Sequence, residues 1–258
     1  MSEVKITTVH MIQMWLNSRQ LVQLGKMLNL PLRKVGNNYL VHCALSELFQ
    51  DQAPKLFSVE DNHRQISDYQ GQKIRVLFYS EYDWQTLQKL AQGFASPTVY
   101  EIVDWEQVAS KPMPTEFPDG LELRFEIRTC PVVRKASDGP KWNKGQEVDV
   151  FLSKVWEEDN EDTKIDREKT YKEWIIRYFE RQDGVHLSSV RVKRFSIERM
   201  SRRNHKPNRK VAIIQRPDVT FTGTLKIKNG KEFEELLYRG IGRHKSFGFG
   251  MLKIRRVS

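Results

Sequence analysis

Cysteine and long apolar runs are scarce in this chain of 258 residues. Its two cysteines, Cys43 and Cys130, lie far apart in sequence, which argues against a disulfide framework and a zinc cluster. We expect no membrane span, because there is no apolar run of about 18 residues. The first residues also lack the charged start and apolar core of a signal peptide. Together these absences favour a reducing, cytoplasmic setting.

Acidic residues are in deficit: 33 Asp and Glu stand against 43 Lys and Arg, a net charge of +10. Such an excess favours a polyanionic partner, with nucleic acid first and a membrane surface second. No pair of carboxylates and no Cys/His spacing indicates a metal site, so the sequence predicts neither a metal nor another cofactor.

We interpret the first half of the chain as the ferredoxin-like order βαββαβ, although the predicted segments include only three of its four strands. The predicted elements are a strand at 4–16, helices at 21–28 and 39–49, a strand at 74–79, a helix at 84–91 and an extended segment at 97–103. Asn37 and Asn38 are the predicted N-cap of the second helix, and Asp83 that of the third.

Prolines and a glycine at 111–120 predict a domain boundary, with one domain at 1–115 and another at 121–258. The second half predicts the same order, with a strand at 121–128, a helix at 167–181 capped by Asp166, strands at 185–197 and 211–228, a helix at 231–238 and a strand at 248–257. A break is expected near Pro217. Residues 131–166 predict a mobile insertion, with a short strand or helix at 148–155. The fold class is therefore α+β, with two tandem ferredoxin-like (RRM-like) domains.

Segment 239–252 is typical of a phosphate-binding loop, because glycine permits positive φ and cations attract a nucleic-acid backbone. Its glycines are Gly240, Gly242, Gly248 and Gly250, and its candidate binding residues are Arg243, His244, Lys245 and Ser246. A P-loop needs glycine before Lys-Ser, and a dinucleotide fingerprint needs a whole βαβ unit downstream. ATP and NAD are therefore disfavoured, and a plain glycine-rich turn is the alternative.

A second basic segment precedes this loop and contains one acid, Glu198. Its cations are Arg191, Lys193, Arg194, Arg199, Arg202, Arg203, Lys206, Arg209 and Lys210. Alternation along a strand places Arg191 and Lys193 on one face. A-form RNA is recognised mostly through its backbone and shape, so a basic hairpin suits an RNA stem. The alternative is a solvated charged hairpin.

The predicted helix at 39–49 carries Tyr39, His42 and Ser46 on one face at its start. Histidine transfers protons near neutral pH, and tyrosine donates a hydrogen bond. From spacing alone, a structural histidine is the more common outcome.

These segments together resemble one family, the CasE-type CRISPR precursor-RNA endoribonucleases of the RAMP superfamily, which belong to the type I-E Cascade systems. The resemblance lies in Tyr-x-x-His at Tyr39 and His42 and in the loop positions Gly240, Gly242, Lys245, Ser246, Gly248, Gly250 and Leu252. Weaker similarity lies at 82–84 and 123–128.

The resemblance implies tandem ferredoxin-like domains that bind a CRISPR repeat stem-loop and cut once at the base of the stem. It implies that the 2′-OH of the RNA attacks the adjacent phosphate without a metal, leaving a 2′,3′-cyclic phosphate and a 5′-OH. His42 would then transfer protons and Tyr39 would act beside it at the scissile phosphate. The implied partners are CRISPR RNA and other subunits of a Cascade-like complex.

The chain departs from the family pattern at Glu47, where a basic residue can stand, and in the length of 131–166 and of the segment before Tyr39. The insertion is expected to contact a neighbouring subunit. Two other functions stay open at this point: a non-catalytic RNA-binding subunit of the superfamily, and a general RNA-associated ferredoxin-like protein. The sequence also leaves open whether His42 is base or acid and whether Ser46 has a role.

Overall fold

The computed structural model describes residues 8–32, 35–60, 72–158, 164–202 and 212–257. The chain forms two compact units. The first comprises the described parts of Met1–Thr115, Arg199–Ile214 and Lys245–Gly248, and the second those of Glu116–Glu198, Gln215–His244 and Phe249–Ser258. The boundaries predicted from sequence, 1–115 and 121–258, stay a prediction.

The first unit has the ferredoxin-like βαββαβ order. Its elements are β1 (His10–Asn17), α1 (Ser18–Met27), α2 (Asn37–Phe49), β2 (Phe57–Val59), β3 (Lys73–Ser80), α3 (Trp84–Phe94), α4 (Pro97–Tyr100) and β4 (Ala109–Pro112). The strands form one antiparallel sheet in the order β2-β3-β1-β4. Asn17 ends β1 and caps α1, accepting a hydrogen bond from the Arg19 amide at 2.9 Å.

One hydrophobic core lies between this sheet and its helices. On β1, Ile12, Met14 and Leu16 alternate into it and are fully buried. Helix α2 adds Phe49, whose ring lies 6.4 Å from that of Phe78 on β3. Each such side chain contributes about 1.5–3 kcal/mol when buried, so α2 is held firmly against the sheet.

The second unit repeats this order. Its elements are β5 (Glu122–Thr129), β6 (Val132–Arg134), β7 (Glu147–Asp149), α5 (Val150–Glu157), α6 (Arg167–Glu180), β8 (Val185–Arg202), β9 (Ala212–Ile227), α7 (Gly230–Arg239) and β10 (Leu252–Arg256), although β8 from Arg199 onward and β9 up to Ile214 belong to the first unit. The main sheet has the order β10-β5-β9-β8, which is the first unit's order with its own strands. Helix α6 packs on this sheet through Phe179, whose ring lies 5.6 Å from Phe125. The predicted tandem ferredoxin-like α+β fold is thus confirmed.

Two predictions in the first half were wrong in detail. Asn37 and Asn38 do not cap α2; they are buried within its first turn, and Gly36 is the N-cap. Residues 97–103 are not extended, because Pro97 begins a helical turn. Proline suits the first position of a helix, since its φ is fixed and its missing N–H is not needed there. The edge strand is β4 instead, largely exposed, so it lacks an apolar pattern and tolerates Pro112. Residues 4–7 of the predicted first strand lie outside the described residues.

In the second half, the predicted mobile insertion at 131–166 is largely ordered where it is described. β6 and β7 pair as an antiparallel hairpin, and Asp149 caps α5 by accepting from the Phe151 amide at 2.8 Å. Pro217 does not break β9, which runs from Ala212 to Ile227, and pairing with β5 ends at Val219, so the proline takes no place in that ladder. The last strand begins at Leu252, because Gly248 and Gly250 have positive φ.

Candidate active site and nucleic-acid interface

Helix α2 positions Tyr39 and His42 at the boundary between core and solvent. The residues between and after them, Leu40, Val41 and Ala44, are fully buried. Tyr39 packs against the core cluster as a partly buried side chain, and His42 is half-buried. The amphipathic pattern of α2 therefore fixes both candidate catalytic side chains on one rim of the first unit.

Tyr39 and His42 are close neighbours one helical turn apart. Their ring centroids lie 6.1 Å apart, with the rings tilted by 45°. Burial lowers the pKa of His42 from its ordinary value of 6.5, because a charged imidazole loses hydration there. His42 is therefore mainly neutral near neutral pH and able to accept a proton.

The turn Lys245–Phe247 lies against α2 within the first unit. The Phe247 ring stacks on that of Tyr39, with centroids 5.5 Å apart and planes inclined by 23°. The structure thus brings together one part of the glycine-rich segment and the Tyr39/His42 helix, which the sequence separates by about two hundred positions. Lys245 and Ser246 are half-buried in the same short turn. Phe247 was not among the sequence-predicted site residues.

All four predicted loop glycines have positive φ: Gly240 at 72°, Gly242 at 81°, Gly248 at 74° and Gly250 at 88°. At Gly250 a Cβ would also lie 2.5 Å from the carbonyl oxygen of Ile241, too close for any side chain. The glycines are therefore required by backbone conformation, as the sequence indicated.

Arg243 and His244 are held by a carboxylate of their own unit. Arg243 donates to Glu147 Oε1 at 2.7 Å, and His244 Nε2 lies 2.9 Å from Glu147 Oε2. Arg216 Nη2 lies 3.7 Å from the same carboxylate. Burial lowers the pKa of His244, although the charge of Glu147 opposes that shift. These two predicted phosphate ligands therefore already have an anionic partner, which no local sequence pattern indicated.

On β8, Arg191 and Lys193 do lie on one face of the sheet. Arg191 donates to Thr222 at 3.2 Å and Lys193 pairs with Glu126, and these two partners are register neighbours on β9 and β5. Glu126 also pairs with Lys253 at 2.6 Å, and these lysines lower the pKa of its carboxyl against the effect of burial.

Arg194 belongs to a buried ion-pair cluster rather than to an open surface. Its Nη2 lies 3.3 Å from Asp218, and its side chain is 27% exposed. Asp218 accepts two hydrogen bonds from Arg128, both at 2.9 Å, and its side chain is 2% exposed. Glu198 completes the cluster at 3.5 Å from Arg128. Arg194 and Ser196 both contact Asp218. Asp218 lies on the same sheet face as Thr222, the partner of Arg191. The alternation of side chains between the two faces of β8 therefore shifts by one residue after Lys193.

Arg199 is exposed and belongs to the first unit. Arg202 ends β8, and its side chain is not described. Four further predicted cations of the hairpin lie outside the described residues, namely Arg203, Lys206, Arg209 and Lys210.

No helix in the described part of the chain is long and apolar enough to cross a membrane. Within the same residues, no three His, Cys, Asp or Glu side chains are grouped so that they could hold a metal ion. Cys43 and Cys130 form no disulfide, and burial raises the pKa of the Cys130 thiol.

Comparison with known proteins places the chain in a family. The sequence profile described as CRISPR associated protein matches residues 9–256, nearly the whole chain. The chain belongs to this CRISPR-associated protein family. The family-level resemblance drawn from Tyr39, His42 and the glycine-rich segment is thereby confirmed. A comparison with curated protein sequences found no significant match.

Solved structures of CRISPR proteins share the fold. Cse3 of Thermus thermophilus, bound to an RNA representing a pre-cleavage complex, has a TM-score of 0.59 at 18% identity, over 96% of this chain and 99% of that one. The CRISPR-associated protein Cas6e from Escherichia coli K-12 has a TM-score of 0.55 at 20% identity, over 96% and 100%. A chain of a CRISPR RNA-guided surveillance complex has a TM-score of 0.57 at 15% identity, over 96% and 100%. At these identities the likeness establishes the shared fold.

Proposed function

We propose that this CRISPR-associated protein is a metal-independent endoribonuclease, which binds the stem-loop of a CRISPR repeat and cuts precursor RNA at the base of the stem. The observation that carries the proposal is the half-buried His42 beside Tyr39, on a helix that contacts the turn Lys245–Phe247. The shared fold with Cse3, which has been solved bound to RNA, supports an RNA substrate.

The protein needs to supply few catalytic groups for this reaction, because the RNA provides its own nucleophile. The 2′-oxygen attacks the adjacent phosphorus while neutral His42 accepts its proton. The bond from phosphorus to the 5′-oxygen then breaks, and that oxygen takes a proton from water to leave as a 5′-OH, while protonated His42 releases its proton to solvent. Tyr39 donates a hydrogen bond to the scissile phosphate, and the Lys245 charge stabilises the phosphorane oxygens. The remaining product end is a 2′,3′-cyclic phosphate.

Binding of the stem rests on the exposed cations of β8 and on those of the segment that follows it. Arg191 and Arg199 are exposed, so they are available to phosphates without breaking a buried pair. We propose one domain at 1–115 with the catalytic helix and another at 121–258 with the β8–β9 hairpin and the glycine-rich loop. Within these, the described residues of Arg199–Ile214 and the turn Lys245–Phe247 belong to the first compact unit. The protein would work in the cytoplasm and stay on its product as a subunit of a Cascade-like complex. The fold shared with a chain of the surveillance complex supports this last step.

The test is cleavage of the CRISPR repeat RNA encoded beside the gene, in EDTA. His42→Ala should slow cleavage at least about 100-fold while stem binding stays within a fewfold of wild type, because His42 moves a proton rather than holding RNA. His186→Ala is the control, since His186 is an exposed histidine on β8 with no assigned role.

Normal cutting by His42→Ala would overturn the proposed mechanism. A wild-type protein that binds the repeat tightly and never cuts it would instead favour a non-catalytic RNA-binding subunit. Equal binding to unrelated stems would favour a general RNA-associated protein.

A further inference from the structure

Phe247 is the aromatic residue of the glycine-rich segment that contacts the candidate catalytic helix. Its ring lies 5.5 Å from that of Tyr39 at a 23° inclination, and both residues are in the first unit. Stacked pairs of this kind contribute beyond the apolar area that they bury, because their ring quadrupoles favour offset parallel geometry. The stack therefore restrains both rings.

The turn that carries Phe247 is itself closed by its backbone. The Gly248 amide donates to the Lys245 carbonyl at 3.0 Å. Gly248 has a φ of 74° and His244 a φ of 61°, so left-handed residues stand on both sides of the three-residue turn. This hydrogen bond and the flanking left-handed conformations hold Lys245, Ser246 and Phe247 in one compact turn.

The tyrosine hydroxyl lies on the axis of its ring, so flipping the ring about that axis leaves the oxygen in place. Only rotation about the first side-chain bond, or movement of the backbone, displaces the hydroxyl. Stacking on Phe247 opposes that rotation, because it would separate the two rings. The position of the Tyr39 hydroxyl thus depends on Phe247.

We infer that Phe247 is a positioning residue, which holds the Tyr39 hydroxyl at the scissile phosphate and couples it to the phosphate contacts of Lys245 and Ser246. This inference rests on the proposed function, since it concerns the same site. RNA that orders the turn through Lys245 and Ser246 would thereby also order Tyr39.

The first test is a substitution series at Phe247, measured by single-turnover cleavage and by equilibrium binding of the repeat RNA. Phe247→Leu should lower the maximal cleavage rate about three- to tenfold with binding unchanged, the size expected for loss of an aromatic pair. Phe247→Tyr and Phe247→Trp should restore most of the rate, because they keep a ring. Phe94→Leu is the control, since Phe94 is 55% exposed at the end of α3.

The second test combines Phe247→Leu with Tyr39→Phe, which removes the hydroxyl and keeps the ring. If Phe247 acts by placing that hydroxyl, Phe247→Leu should cause no further loss in the Tyr39→Phe background. The same loss in both backgrounds, or a loss confined to RNA binding, would overturn the inference. If the leucine variant does not fold, Phe247→Met, which keeps apolar bulk, serves in the same cycle.

The two proposals fail in different ways. A wild-type protein without cleavage activity overturns the proposed function. A wild-type protein that cuts, with Tyr39→Phe slow and Phe247→Leu unchanged, overturns only the role of Phe247.

Discussion

The two units have the same strand order and carry their polar groups in different ways. In the first, half-buried Tyr39 and His42 stand on a helix that is otherwise packed into a core. In the second, charged side chains form ion pairs across the sheet, and Asp218 and Arg128 are buried. One fold therefore supports two arrangements, one suited to chemistry and one to holding a charged surface in place.

The same contrast holds between neighbouring cations of β8. Arg194 is committed to buried Asp218, whereas Arg199, five positions later, is exposed. One basic segment of the sequence thus contains both a partly buried, paired arginine and an exposed arginine.

The largest expected effect is on stability, at the buried cluster. Asp218→Ala should lower the free energy of unfolding by about 3–5 kcal/mol, because it leaves Arg128 buried without its bidentate partner. Urea unfolding measures this. Asp183→Ala, at an exposed aspartate of the same unit, should change it by less than about 0.5 kcal/mol. A similar change in both variants would remove the contrast between buried and exposed charges.

The next effect concerns the salt dependence of RNA binding. Arg199→Ala should weaken repeat binding and reduce the slope of log affinity against log salt by about 1, because one phosphate contact is lost. Arg194→Ala should leave that slope unchanged and lower stability instead, since its charge is already paired. Equal slopes for the wild type and Arg199→Ala would remove Arg199 from the interface.

The smallest effect is on pH dependence, at His42. Burial lowers its pKa, so kcat/KM, which reports the free enzyme, should fall as pH decreases, with the midpoint of the fall below pH 6.5. A midpoint above pH 6.5 would contradict the lowered pKa. A rate that falls as pH rises would make His42 the acid rather than the base.

The lowered pKa of His42 also makes the stability of the folded protein depend on pH. Below pH 6.5 the unfolded chain binds a proton at His42 more readily than the folded protein does. The free energy of unfolding therefore decreases as pH falls from 6.5 through the lowered pKa. His42→Gln should remove this part of the pH dependence in urea unfolding.

Much of the fold could be predicted because its signals are local. Alternation along 121–128 and the caps at Asp83 and Asp166 gave elements that the structure confirms. Edge strand β4 was not predicted because it is short and exposed. The ordered structure of the insertion was not predicted because it comes from pairing between β6 and β7. Such contacts depend on the whole fold rather than on neighbouring residues.

The candidate site likewise contains residues that local sequence patterns predicted and residues that they did not. Tyr39 and His42 share one helical turn, so spacing alone predicted them together. Phe247 and Glu147 act through partners about two hundred and one hundred residues away, so no local pattern marked them. The structure supplied these contacts, and the roles of all four residues stay open to the tests above.

The most direct test of the central claim is the chemistry of the RNA ends that the wild-type protein leaves on its CRISPR repeat in EDTA. Attack by the 2′-OH, assisted by His42, predicts a 2′,3′-cyclic phosphate on one fragment and a 5′-OH on the other. A 3′-OH paired with a 5′-phosphate, or cleavage that stops when EDTA is added, would contradict the account.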